Sequence, residues 1–157
     1  MQATLLLVGK TEDPYLVDGI DKYTKRIKRY IKFNVEVIPS LKNTKKLTVE
    51  EQKKKEAALI LQKCSNYDQI ILLDEKGKEL NSVEFSKVIE NAMNNSVRKV
   101  CFVIGGPYGF DKLVYEKADW KLSLSKMTYS HQIVRLLFVE QFYRIFTIIN
   151  NEPYHHE

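Results

Sequence analysis

The chain has 157 residues, of which 44% are hydrophobic, with 25 Lys+Arg against 20 Asp+Glu and a net charge of +5. That length corresponds to one domain, large enough to bury a core without a disulfide or a metal. Six glycines and four prolines exclude collagen-like and low-complexity classes, and Cys64 and Cys101, with no C-x-x-C spacing, argue against a secreted disulfide framework or a cysteine zinc site.

Gln2–Val8 is an apolar, β-rich run ending at Gly9 and reads as a buried strand. It is too short for a signal peptide and lacks a basic lead. With no run of 18 uncharged apolar residues anywhere, the expectation is a cytoplasmic protein with reduced thiols and no membrane contact. Asp13-Pro14 predicts a helix start, and Leu16, Ile20, Tyr23, Ile27 and Tyr30 continue at helical spacing. Phe33 to Ile38 alternates as a second strand closed by Pro39, and residues 40–48 form a basic loop. Thr48-Val49-Glu50-Glu51 is a capping box opening a helix to about Cys64.

Gln69 to Leu73 reads as a central strand ending at Asp74-Glu75, with a turn at Gly77. Ser82 is expected to cap a helix to about Asn95, and Lys99 to Ile104 is another buried strand, running into Gly105-Gly106-Pro107-Tyr108-Gly109. A short helix near Asp111–Lys117, a short strand near Trp120–Leu124 and a long helix from Ser130 to about Asn150 follow, before a tail of residues 151–157. Continuously apolar strands alternating with helices predict an α/β fold: a mainly parallel sheet covered on both faces, in a single domain spanning 1–157. Ligands of such sheets bind beyond the carboxyl ends of the strands. The positions to watch are therefore Gly9-Lys10, Leu73-Asp74, Gly105 to Gly109 and the segment from Leu124.

The charge is uneven. Residues 1–66 carry 14 Lys+Arg against 8 Asp+Glu, while residues 67–157 carry 11 against 12. Lys22, Lys25, Arg26, Lys28, Arg29 and Lys32, then Lys42, Lys45, Lys46, Lys53, Lys54 and Lys55, hold the excess. Such a run is either a solvated face with a loop or a footprint for a phosphate backbone. Between Ile133 and Ile149 the only residues that are not apolar or aromatic are Arg135, Glu140, Gln141, Arg144 and Thr147. A helix apolar nearly all round is buried on more than one side. The sheet can cover one side, and a second copy in a two-fold dimer the other, or the helix is central to a monomer. Glu140 and Arg144, four apart, can pair, whereas Arg135 has no helical carboxylate partner and is a candidate for a substrate phosphate or a subunit contact.

Several motifs fail on inspection. Val8-Gly9-Lys10-Thr11 ends like a P-loop, but Thr4 stands where the first glycine is needed. Gly105 to Gly109 is not a dinucleotide fingerprint, although glycines at a strand end let backbone approach a ligand closely. The hydroxyl-rich Leu122 to Thr128 segment suits an adenine edge or is a plain connection. His131, His155 and His156 show no metal-ligand spacing, and no G-x-S-x-G elbow exists for a serine hydrolase.

Taken together, Phe102 to Gly109, Leu124 to Gln132 and Arg135 to Arg144 resemble the bacterial large-subunit rRNA pseudouridine N3-methyltransferases, the RlmH family of SPOUT methyltransferases. Leu7-Val8-Gly9-Lys10, Leu72-Leu73-Asp74 with Gly77-Lys78, and the closing Pro153-Tyr154-His155 match as well, so the resemblance covers the whole chain. It implies a homodimer with a C-terminal trefoil knot. It also implies S-adenosylmethionine, with no metal, held by Leu73, Gly105, Leu124, Ser125, Lys126, Met127, Thr128 and Tyr129. The implied substrate is a pseudouridine of large-subunit rRNA within the assembled ribosome, not DNA. The imide N3–H must lose its proton, so a base or a stabilising cation is needed beside it. The candidates are His131, Arg135, Tyr154 and His155, with the tail orienting or stacking the base and Arg135 supplying charge. Two other readings compete: a ribosome- or RNA-binding module that kept the fold without catalysis, and a flavodoxin-like small-molecule enzyme.

Overall fold

The computed structural model describes residues 1–156; Glu157, the end of the expected tail, lies outside the described residues. Five strands form one parallel sheet: β1 (Gln2–Val8), β2 (Lys32–Ile38), β3 (Gln69–Glu79), β4 (Lys99–Ile104) and β5 (Trp120–Ser123), in the order β2-β1-β4-β3-β5. The helices are α1 (Pro14–Ile27), α2 (Val49–Cys64), α3 (Ser82–Asn94), α4 (Lys112–Lys117) and α5 (Ile133–Ile149).

The pleat sorts each strand into two cores. Ala3, Leu5 and Leu7 of β1, Ile71 and Leu73 of β3, and Val100, Phe102 and Ile104 of β4 share one core with Phe138, Phe142 and Phe146 of α5. Leu6 and Val8, Leu72, and Cys101 and Val103 point the other way, to Ala57, Ile60 and Cys64 of α2 and Val114 of α4. Every central strand is buried on both faces, which is why the strands read as unbroken apolar runs. Both cysteines are free and buried.

The caps hold close to their expected places. Thr48 and Glu51 form the capping box of α2. Asn81, not Ser82, caps α3, with Glu84 reaching back to it. Asp13 precedes Pro14 but makes no side-chain cap bond.

Two differences from the sequence reading have physical causes. Helix α5 starts at Ile133, three residues later than expected, because residues 131–132 form a turn in which the Ser130 hydroxyl accepts the Ile133 N–H at 3.2 Å. Strand β3 runs on past Leu73 to Glu79. Ile71, Leu72 and Leu73 pair with Trp120, Lys121 and Leu122; after an irregularity, Lys78 and Glu79 pair with Leu122 and Ser123. Gly77 makes this second pairing possible. A Cβ there would stand 2.6 Å from the Leu122 carbonyl carbon and 2.7 Å from the Ser123 nitrogen, both backbone atoms.

The apolar circumference of α5 also has a local explanation. It packs on the sheet between α1 and α3, which cover its flanks. Its remaining stripe, Ile133, Leu137, Glu140, Arg144 and Ile148, is only half-buried.

Gly77→Ala is expected to destabilise the fold by about 1–3 kcal/mol, the usual cost of overpacking, and by more if the backbone cannot shift. Urea denaturation reads this directly; an unchanged midpoint would show that β3 and β5 need no close approach.

Candidate active site at the strand tips

The carboxyl ends of β3, β4 and β5 open on one cleft of about 670 Å³. Three segments wall it: Leu73 to Lys76 after β3, Ile104 to Phe110 after β4, and Leu122 to Ser130 around and after β5. His131 and Val134 close it from the start of the last helix, Lys53 from α2 and Tyr115 from α4. The volume falls in the range of small-molecule sites, about 300–1,000 Å³.

Each wall is held by its own bonds. Gly109 adopts a positive φ of 72° and returns its N–H to the Gly106 carbonyl at 3.1 Å, folding the segment after β4 into a tight turn. Gly105 leaves room for the Phe110 ring, which a Cβ at that position would approach to 3.1 Å. Gly106 sits against the carboxyl of buried Glu56, 3.2 Å from where a Cβ would stand. Burial raises the pKa of that carboxyl, while the Gln52 amide, donating at 3.2 Å, opposes the rise. On the opposite wall, Tyr115 donates to Asp74 at 2.5 Å and the Lys76 N–H caps the same carboxylate at 2.8 Å. Burial, then the Asp74 charge, raises the Tyr115 pKa, so the phenol stays protonated. Thr128 donates to Glu75 at 3.0 Å, tying the loop after β5 to the end of β3. Within that loop the Ser125 hydroxyl accepts the Met127 N–H and Ser123 donates to the Ser125 carbonyl, both at 2.9 Å. Met127 and Tyr129 stay exposed at the mouth.

Seven of the eight residues expected to hold a cofactor line this cleft: Leu73, Gly105, Leu124, Ser125, Met127, Thr128 and Tyr129. Lys126 lies in the same loop but does not line it. Of the four expected to act on the substrate, only His131 does. Burial, then the nearby Arg135 charge, lowers its pKa, so the imidazole is neutral near pH 7 and can accept a proton.

Arg135 is placed elsewhere. It is 0% exposed, and its donors are spent on the chain itself: Nε to the His131 carbonyl at 2.9 Å, one terminal nitrogen to the Val8 carbonyl at 2.8 Å, and the other to the Gly9 carbonyl and the Thr11 hydroxyl at 3.1 and 3.0 Å. It ties the tip of β1 to the turn before α5 and is not among the residues that line the cleft.

Tyr154 and His155 are also away from the cleft. The Tyr154 hydroxyl donates to Glu140 at 3.1 Å and lies 3.4 Å from the Tyr23 hydroxyl, and its ring packs on Tyr143 and under the Arg144 guanidinium. Glu140 and Arg144 pair as their spacing predicts. Asp74 and Pro107 fall among the strand-end positions marked from sequence, whereas Glu75, Phe110 and Tyr115 line the cleft without having been singled out. For Glu75 its place beside Asp74 was the one available signal; Phe110 and Tyr115, beyond β4 and in α4, carried none, because their contacts come from distant segments. Among the described residues, no group of three or more His, Cys, Asp or Glu could hold a metal, and no helix is long and apolar enough to cross a membrane.

A chain that opens such a cleft at neighbouring tips of a parallel sheet has counterparts among known proteins. A family model described as "Predicted SPOUT methyltransferase" matches residues 1–155. The chain belongs to the SPOUT methyltransferase family. It is 55% identical over 157 residues to the "Ribosomal RNA large subunit methyltransferase H" of Flavobacterium johnsoniae, and 51% identical to the protein of that name from Parabacteroides distasonis, covering 100% of both chains in each case. Among solved structures, it shares the fold of a tRNA (m1G37) methyltransferase from Aquifex aeolicus, with a TM-score of 0.59 at 16% identity, over 100% of this chain and 76% of that one. A probable methyltransferase from Bordetella pertussis gives a TM-score of 0.59 at 11% identity, over 92% and 95%.

Two outcomes follow from this SPOUT site. Arg135→Met leaves the Val8, Gly9 and His131 carbonyls without their donor, and unsatisfied buried groups cost about 1–3 kcal/mol each. A stability loss of at least about 3 kcal/mol is expected by chemical denaturation; a variant as stable as the wild type but poor in turnover would instead put Arg135 on the substrate. The His131 ring is expected to titrate by NMR below its ordinary value of about 6.5. With the folded pKa depressed, its contribution to stability is present above that value and lost as pH falls through the folded pKa. A midpoint above about 6.5 would remove His131 as a neutral base.

Proposed function

We propose that this chain is a homodimeric, S-adenosylmethionine-dependent enzyme that methylates N3 of a pseudouridine in large-subunit rRNA within the assembled ribosome of the bacterial cytoplasm. The observation that carries this reading is the cleft at the tips of β3, β4 and β5, lined by seven of the eight residues that the family resemblance assigns to the methyl donor. Full-length identity above 50% to proteins named for large-subunit rRNA methylation supports the substrate class.

The cleft suits the donor in chemistry as well as size. Gly105 and Gly106 bring bare backbone to one wall, and the loop from Leu124 to Tyr129 offers main-chain and hydroxyl groups that suit an adenine edge and ribose. Asp74 and Glu75 bring negative charge near a cationic ligand. Bound there, S-adenosylmethionine would supply an electrophilic methyl group on a sulfonium. The chain's own work is to position the two reactants, exclude water and manage one proton. Leu73, Leu122, Leu124 and Val134 give the cleft its apolar surface. His131, neutral and at the rim, is placed to take the imide proton from the pseudouridine as N3 attacks. In place of Arg135, His131 and the tail remain the groups for this step.

Within one chain Tyr154 meets Glu140, seven residues or about 10 Å along α5 from Ile133, with His131 in the turn before it. A tail that touches the substrate therefore comes from the partner. Two-fold pairing along the half-buried stripe of α5 would lay antiparallel helices side by side and bring each tail towards the opposite cleft. A trefoil knot would thread the segment after β5 past the extension of β3, where Gly77 already lets two backbones touch.

Mass spectrometry of large-subunit rRNA from a deletion strain tests the activity: one pseudouridine is expected to lose its methyl group and regain it on complementation. Unchanged modification would defeat the assignment. Gly105→Val, which drives side-chain atoms towards Phe110 and the cleft, is expected to weaken S-adenosylmethionine binding at least about tenfold by calorimetry, one or two lost packing contacts' worth.

A further inference from the structure

At the far end of the sheet from the cleft, α1 ends and β2 begins around a second hollow of about 480 Å³, lined by residues 28–34. Lys28, Arg29 and Lys32 are exposed there, and none of the three forms an ion pair among the described residues. The lining itself contains no carboxylate; at its edge, Glu152 accepts the Tyr30 hydroxyl at 2.8 Å through both oxygens. Three unpaired cations around a concavity, with the Asn34 amide beside them, repel one another and gain from a polyanion. The chain as a whole carries +5, and the half that contains this hollow carries the excess.

The hollow is continuous with the tail. Tyr30 holds Glu152, Tyr23 meets Tyr154, and Arg26 lies over both the Tyr23 and Tyr143 rings. Both therefore ride on one surface of α1 and α5. The cleft of the same chain is remote: Lys32 pairs with Gln2 at the start of β1, and the cleft opens beyond the strand ends, six residues or about 20 Å further on.

We propose that Lys28, Arg29 and Lys32 form a phosphate-binding notch for the rRNA backbone, and that it serves the partner's cleft rather than its own. The inference rests on the dimeric rRNA methyltransferase reading above. A strand whose pseudouridine reaches one protomer's methyl donor would cross the other protomer's tail, with the flanking phosphates in the notch beside that tail. The notch fixes register and carries no base specificity.

The test uses the full-length dimer carrying Lys28→Gln, Arg29→Gln and Lys32→Gln together, with large ribosomal subunits lacking the methyl group as the probe. Subunit binding is expected to weaken about tenfold at moderate salt, and the slope of log affinity against log salt to flatten by about two, as for three lost single-strand phosphate contacts. S-adenosylmethionine affinity by calorimetry and dimer mass by light scattering are expected to be unchanged. Equal subunit binding and an equal salt slope in wild type and variant would overturn the notch. If wild-type protein binds subunits with the expected salt slope but transfers no methyl group, the methyltransferase reading fails and the notch stands. Mixed dimers decide which cleft it serves. One protomer carries Gly105→Val to silence its cleft, and the notch substitutions are placed either on that protomer or on the other. Raised KM only when they share the silenced protomer supports service across the dimer; raised KM only when they share the live cleft overturns it.

Discussion

A single buried guanidinium joins the two ends of this fold. Arg135 is fully buried and pairs with no carboxylate, the Glu12 charge alone lying near enough to favour it, yet it remains a cation in an apolar core. Burial disfavours its charge, and the lowered pKa reports that cost. What offsets it is geometry: carbonyl oxygens at the open tip of β1 and at the turn before α5 point at one planar fork of donors. Carbonyls at a strand tip and in a turn have no ladder partner, and here one side chain donates to both. The turn it anchors carries His131, and the loop just before that turn is the wall of the cleft that the cofactor reading needs. Loosening the arginine would therefore disturb the site without any direct contact with a ligand.

Much of this was legible because burial leaves a period in the sequence. The double-sided apolarity of β1 and β4 announced a parallel sheet, and the rule that ligands sit beyond strand ends located the cleft before any geometry was known. The capping box at Thr48 and the pair Glu140–Arg144 were readable because their partners are three and four residues away. The bonds of Arg135 were not legible for the complementary reason. Three of its four partners are more than 120 residues distant, and the three carbonyl oxygens among the four have no letter in a sequence. An arginine without a nearby acid looks functional when only side chains are counted.

Gly77 was illegible in the same way. It read as a turn, since a glycine after an acidic pair has many turns open to it. Its contact is with the backbone of Leu122 and Ser123, some 45 residues on, and it lets one strand pair twice with a neighbour across an irregularity. The irregularity projects Asp74, Glu75 and Lys76 into the cleft instead of continuing the ladder, so the close approach and the site's acidic wall have one cause.

The last helix shows why composition alone did not settle assembly. Its apolar circumference suggested a subunit interface, yet α1, α3 and the sheet cover most of it within one chain. What favours a second copy is the distribution of function along the molecule. The cleft-lining groups gather at the carboxyl ends of the strands, while the tail, with Tyr154, and the unpaired cations gather towards the amino ends. A reaction on a long polyanion needs both at one place. A single rigid sheet holds them apart, and a two-fold axis across α5 is the simplest operation that brings one set against the other. On this view the charge asymmetry between the halves of the sequence is the one-dimensional trace of a site completed only between two chains.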